Sequence, residues 1–108
     1  MNPIVWTLVV CVMMYGLVTE ACPSGCSCER SDPCNGTYVD CFDKGLTEVP
    51  TNIPSDTCGL WLDGNEISNI KTNAFNFLSN LQTLDLSGNQ ITTIQNNSFA
   101  SLRNLRKL

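Results

Sequence analysis

Cysteines are the residues of this chain best equipped for chemistry. The chain has seven: Cys11 stands alone in an apolar run, while Cys22, Cys26, Cys28, Cys34, Cys41 and Cys58 crowd together before residue 59. Thiols so placed can couple oxidatively into disulfides or, as thiolates, hold zinc. An even number in a short chain favours disulfides, and six cysteines allow fifteen pairings among which the sequence does not choose. Zinc would need thiolates kept in a reducing compartment, and no histidine is present to share the ligation. No metal site is therefore expected.

Other reactive groups are sparse. Serines and aspartates occur with no histidine to act as a base, which argues against nucleophilic catalysis. Asp56, Asp63 and Asp85 are carboxylates, but their spacing fits no calcium loop. Neither an enzyme, a cofactor nor a small-molecule substrate is expected. Six basic and ten acidic residues give a formal net charge of −4. This mild acidity does not suggest a nucleic-acid partner.

The thiol chemistry depends on the compartment, and the N-terminus points to one. From Ile4 to Val18 no residue is charged. That run is shorter than the about 20 residues a membrane-spanning helix requires, and it suits the apolar region of a secretory signal peptide. Thr19-Glu20-Ala21 supplies small residues at a cut, so cleavage is expected after Ala21, making residues 1–21 the signal. The product would be secreted or displayed outside the cell, where disulfides persist. A membrane connection would then need an anchor downstream. Asn35-Gly36-Thr37 and Asn96-Asn97-Ser98 are acceptor motifs for N-glycans in that compartment, at Asn35 and Asn96.

The elements that must position these groups repeat themselves. LWLDGNEISNI at residues 60–70 returns as LDLSGNQITTI at residues 84–94. Leu60, Leu62, Asn65, Ile67, Ile70, Phe75, Leu78 and Leu81 meet Leu84, Leu86, Asn89, Ile91, Ile94, Phe99, Leu102 and Leu105, every offset being 24 residues. Leu108 begins another copy. Leucines alternating with Asp85 describe a short strand with one buried face. Asn65 and Asn89 each follow a glycine turn, where a short amide can satisfy backbone groups as the chain bends away, and stacking would line them into a ladder. The two phenylalanines would fill the space behind the strands. Each coil would bury some six such side chains at roughly 2 kcal/mol apiece before chain entropy is subtracted. This period and pattern indicate a leucine-rich repeat.

The segment before the repeats carries a more specific resemblance. CPSGCSC, then VDCFDKGLTEVPTNIP, at residues 22–54 resembles the cysteine-rich N-terminal cap of extracellular leucine-rich repeat proteins, among them Slit-like proteins, variable lymphocyte receptors and small leucine-rich proteoglycans. Cys22, Pro23, Cys26, Cys28, Cys41, Gly45, Leu46, Val49, Pro50, Ile53 and Pro54 match that pattern. The resemblance implies an α/β solenoid, with short parallel strands on the concave face and loops or short helical turns on the convex face. A disulfide-bonded β-hairpin cap would precede it. It also implies the pairs Cys22–Cys28 and Cys26–Cys41. Cys34 and Cys58 depart from the common cap pattern, and they are expected to bond each other and pin the hairpin to the first coil. A bridge closing a loop of this size contributes about 3 kcal/mol, mostly by restricting the unfolded chain.

The expected divisions are a cap over 22–56, repeats over 57–80 and 81–104, and a third repeat beginning at 105–108. The sequence is expected to be a fragment of a longer protein. The edges of Leu84, Leu86, Ile91 and Phe99 are expected to face water at the last coil. In this architecture the residues between the strand leucines face outward: Gly59, Trp61 and Asp63, then Thr83, Asp85 and Ser87, with Lys107 starting a third row. Trp61 beside Asp63 and Asp85 is the expected anchor for a protein ligand. The function expected is extracellular protein–protein recognition, with a matrix-organising protein or an accessory domain of a matrix enzyme as alternatives.

Overall fold

The computed structural model describes residues 22–108. The expected signal peptide lies outside the described residues. Six strands follow in chain order: β1 (Ser27–Ser31), β2 (Gly36–Asp40), β3 (Thr57–Trp61), β4 (Asn69–Ile70), β5 (Thr83–Asp85) and β6 (Thr93–Ile94). β1, β2, β3 and β5 form one sheet in that order, and β4 and β6 form a second. β1 and β2 are an antiparallel hairpin; every later pairing is parallel. Parallel neighbours are what a coiling chain produces, because each turn re-enters the sheet in the same direction.

Register shows that the repeat begins inside the cap. Leu60 pairs with Leu84, and Val39 pairs with Leu60. The backbone confirms the correspondence one step further along. Leu62 N–H donates to Asp85 O (2.8 Å) and Cys41 N–H to Trp61 O (2.8 Å). Val39, Cys41, Leu46 and Val49 therefore stand where Leu60, Leu62, Ile67 and Ile70 stand in the next coil. This first coil advances 21 residues per turn, as from Lys44 to Asn65, whereas the next advances 24, as from Ser68 to Thr92. The cap is thus a hairpin fused to a shortened coil.

The stacked rungs make the core. Val39, Cys41, Leu60, Leu62, Ile67, Ile70, Phe75, Leu81 and Leu84 are almost wholly buried. Phe75 and Phe99 stack behind them, with ring centroids 5.5 Å apart and planes 19° from parallel. The expectation for Leu84 is corrected: it is only 1% exposed. The next turn of chain covers it, since Leu84 N–H donates to Lys107 O (2.9 Å) and Thr83 bridges to Lys107. Leu86, Ile91 and Phe99 are half-buried, and Ile94 is the large apolar residue of that coil left open, at 55% exposure.

Successive turns build the convex side, and the described residues contain no helix. Ala74, Asn76 and Leu78 donate to the carbonyls of Lys71, Asn73 and Phe75, and Ser98, Ala100 and Leu102 repeat the pattern one coil later. Side chains of the later coil then stitch it to the one before. Ser98 Oγ donates to Ile70 O (3.1 Å), Ser101 Oγ to Phe75 O (2.8 Å) and Asn104 Nδ2 to Ser79 O (2.8 Å).

The asparagine ladder does the same work on the buried side. Asn65 Nδ2 donates to Cys41 O (2.8 Å) and Leu62 O (2.9 Å), while its Oδ1 accepts from Lys44 N–H (2.9 Å) and Leu46 N–H (3.0 Å). Asn89 bonds Leu62 O, Leu86 O and Ile67 N–H at 2.8–3.0 Å. Each asparagine thus satisfies backbone groups of the coil before it, which would otherwise be orphaned in the interior.

Three disulfides hold the leading end. They join Cys22 to Cys28, Cys26 to Cys41 and Cys34 to Cys58, with Cα atoms 5.9, 4.6 and 6.3 Å apart. The last ties the β1–β2 turn to β3, and an exposed ion pair, Arg30–Asp56 at 3.7 Å, lies alongside. Ion pairs of that exposure contribute little; the covalent link does the fastening.

Candidate functional site

The four-stranded sheet presents its outward side chains in rows across the concave face. One row runs Glu29, Tyr38, Gly59, Thr83, Lys107; the next runs Ser27, Asp40, Trp61, Asp85. Phe42, Asp63 and Ser87 occupy equivalent places just beyond the strands, where Asp43 N–H donates to Asp63 O (3.1 Å) and Gly64 N–H to Ser87 O (2.9 Å). The sheet therefore brings all the expected concave residues to one surface.

Trp61, the expected anchor, is half-buried, because the indole lies back over Gly59 and meets Tyr38 edge-on, with centroids 5.1 Å apart and planes at 75°. Gly59 is correspondingly buried, covered by that ring on the outward row. A Cβ at position 59 would fall 2.6 Å from the Trp61 ring and 3.0 Å from Tyr38. The glycine is thus the floor on which the aromatic pair rests.

Two functional candidates escaped the sequence reading. Tyr38 is 40% exposed and Phe42 54% exposed, both on the shortened coil. The signal was present: in TYVDCF, buried Val39 and Cys41 alternate with outward Tyr38, Asp40 and Phe42. Treating this stretch purely as a cap hid the alternation. Tyr38, Phe42 and Trp61, with Ser27, Glu29, Asp40 and Asp63, line a shallow concavity of about 610 Å³. Asp63 Oδ1 is shielded from solvent and has no hydrogen-bond partner among the described residues.

Electrostatics vary along the face. Asp85 Oδ1 accepts from Ser87 Oγ (2.6 Å) and Ser87 N–H (3.0 Å). The Ser87 hydroxyl first, and then its amide, hold the Asp85 carboxyl below its ordinary value, with Lys107 adding a smaller pull. Asp40 repeats the backbone part of this turn, accepting from Phe42 N–H at 3.0 Å. The ion pairs among the described residues, Arg30–Asp56 and Lys71–Glu48, engage no concave carboxylate.

Other candidates lie elsewhere. Asn35 and Asn96 are exposed, on the β1–β2 turn and on the convex loop after β6, off the concave rows. Among the described residues no cluster of three or more histidine, cysteine, aspartate or glutamate side chains could hold a metal. A larger concavity of about 680 Å³ opens on the flank between the shortened coil and the next, beside Val49, Pro50, Ile53 and Phe77. Its charged members, Lys71 and Glu48, neutralise each other at 3.1 Å.

Comparison with known proteins agrees with this architecture. Residues 60–108 match the family described as leucine rich repeat. The insulin-like growth factor-binding protein complex acid labile subunit of Rattus norvegicus is 44% identical over 64 residues, covering 59% of this chain and 11% of that protein. Leucine-rich repeat-containing protein 3 of Danio rerio is 36% identical over 83 residues, covering 77% of this chain and 30% of that protein. Among solved structures, human 5T4, the trophoblast glycoprotein, superposes with a TM-score of 0.69 at 29% identity, covering 80% of this chain and 32% of that one. The chain spans between about a tenth and a third of the length of the proteins it matches. The repeats at residues 60–108 are leucine-rich repeats, preceded by a disulfide-bonded cap.

Proposed function

We propose that this leucine-rich repeat chain is an extracellular recognition module whose concave face takes a protein ligand. The observation that carries the reading is the central row, in which Trp61 sits in register between Asp40 and Asp85 with Tyr38 and Phe42 beside it. Partly exposed aromatics backed by a rigid sheet are the groups that anchor protein interfaces, because they bury large area at low entropic cost. Thr83, Ser87 and Lys107 supply polar contacts around them.

The apolar run at residues 4–18 and the three disulfides, which persist outside the reducing cytosol, support an extracellular compartment. The name of the acid labile subunit places that relative in a growth factor-binding protein complex; the present chain is read as forming a complex of the same general kind, with its own ligand. Glycans at Asn35 and Asn96 would leave the concave rows free. Stable interfaces bury roughly 800 Å² on each partner, so the aromatic end would form one part of the contact. The working divisions are a cap over 22–56 and repeats over 57–80 and 81–104, with a third beginning at 105.

A photo-crosslinking residue placed at concave Ser87 should capture a protein ligand from extracellular fluid, and the same group at convex Asn76 should not. Adding Trp61→Ala should abolish the capture. Equal yields from both positions, or capture untouched by Trp61→Ala, would overturn the concave-face reading.

A further inference from the structure

The aromatic end of the concave face carries more information than a general binding surface. Each aromatic there has a carboxylate as its lateral neighbour. Tyr38 pairs in register with Glu29, and Trp61 with Asp40. Phe42 stands beside Asp63 in the row beyond the strands, both lining the same concavity. Side chains on directly paired positions lie about 5 Å apart, within one another's reach. A π face next to a negative charge is what an organic cation requires: the ring attracts it through the quadrupole, and the carboxylate neutralises it.

The described residues set no ion pair against this charge. Lysine and arginine are absent from the concavity's lining. Arg30, the base nearest in sequence, turns away to Asn35 Oδ1 (2.6 Å) and Asp56. Lys107 lies at the opposite end of its row, where it acts on Asp85.

Resting on the concave-face reading, we propose that this concavity receives an arginine-bearing basic segment of the protein ligand. A guanidinium is favoured over an ammonium because the walls are aromatic. Tyr38 and Trp61 meet at 75°, leaving a corner in which a planar cation can stack on one ring and still direct N–H groups at flanking carboxylates. An acidic segment would meet Glu29, Asp40 and Asp63 with like charge. A purely apolar one would strip water from these carboxylates without replacing it.

The test uses the full chain and three blocked peptides, Gly-Arg-Gly-Arg-Gly, its citrulline counterpart and its glutamate counterpart. They are titrated to about millimolar concentration while the Trp61 indole N–H signal is followed by NMR. The arginine peptide should shift that signal. The neutral citrulline peptide should bind about tenfold more weakly, the loss of one or two cation contacts. The combined change Asp40→Asn and Asp63→Asn should weaken the arginine peptide by a similar factor, as should high salt, with the indole signal still dispersed to show a folded chain. Equal binding of arginine and citrulline peptides, preference for the glutamate peptide, or an arginine peptide that leaves Trp61 unmoved would each overturn the proposal. Those outcomes leave the crosslinking result at Ser87 standing, so the ligand class and the concave-face reading fail separately.

Discussion

The shortened coil of the cap and the full coil that follows it occupy equivalent places in one stack, yet they are held together differently. The full coil contains Asn65, Gly64 and Phe75; the cap coil has Lys44 and Asp43 at the first two places and no counterpart of Phe75, Pro54 closing its turn where Leu78 closes the next. Where the full coil has an amide bonded into its predecessor, the cap has no predecessor to bond, and a lysine suffices. Where the full coil fills its back with a ring, the cap closes early on a buried proline and relies on disulfides. The repeated residues therefore serve the contacts between coils rather than the shape of any one coil.

The largest way to break this comparison is at the ladder. Asn65→Ala leaves backbone groups of both the cap and its own coil without partners in a buried place, which should cost about 3 kcal/mol or more. Asn89 is half-buried, so Asn89→Ala should cost about 1–2 kcal/mol. Urea unfolding with the disulfides intact reads both, and equal losses would show that the ladder is not graded by burial.

A smaller effect lies at the turn. Asp43, Gly64 and Gly88 share a left-handed backbone, with φ of 53°, 71° and 66°. Asp43→Gly should therefore stabilise by about 0.5–1 kcal/mol, since glycine adopts this region without steric penalty. Gly88→Ala should destabilise, because its Cβ would fall 3.2 Å from Gly64 N as well as incurring that penalty. Thermal midpoints moving in the same direction would sink the equivalence of the three positions.

The smallest effect concerns charge. Because its folded value is depressed, the stabilisation from Asp85 is present above the ordinary carboxylate pKa and is lost as pH falls through the lowered one. Ser87→Ala should raise the Asp85 pKa toward its ordinary value, as read by carboxyl NMR titration. An unmoved Asp85 would assign its shift to the amide alone.

Much of the stack is legible in the sequence, for a definite reason. Periodic leucines and asparagines report contacts that recur, and recurrence is visible in a single sequence. The buried rungs from Leu60 onward, the ladder at Asn65 and Asn89 and the clustering of cysteines at one end were readable in this way. What escaped was set by non-repeating neighbours. The burial of Leu84 depends on the backbone of Lys107, the recumbent Trp61 on the missing Cβ of Gly59, and the outward Tyr38 and Phe42 on a coil whose 21-residue advance broke the period. Ser98 and Ser101 gave no signal either, since Ala74 and Phe77 stand at the matching places one coil earlier.

The ladder also has a direction, and that bears on how the chain matures. The amides of Lys44 and Leu46 wait for Asn65, and the amide of Ile67 waits for Asn89. During synthesis, then, each turn emerging from the ribosome stays incomplete until about two dozen further residues have followed it out. The leading end is the exception: Cys22, Cys26, Cys28 and Cys41 can oxidise among themselves before Asn65 or Asn89 arrives, giving the nascent chain a finished edge on which later turns are laid in order.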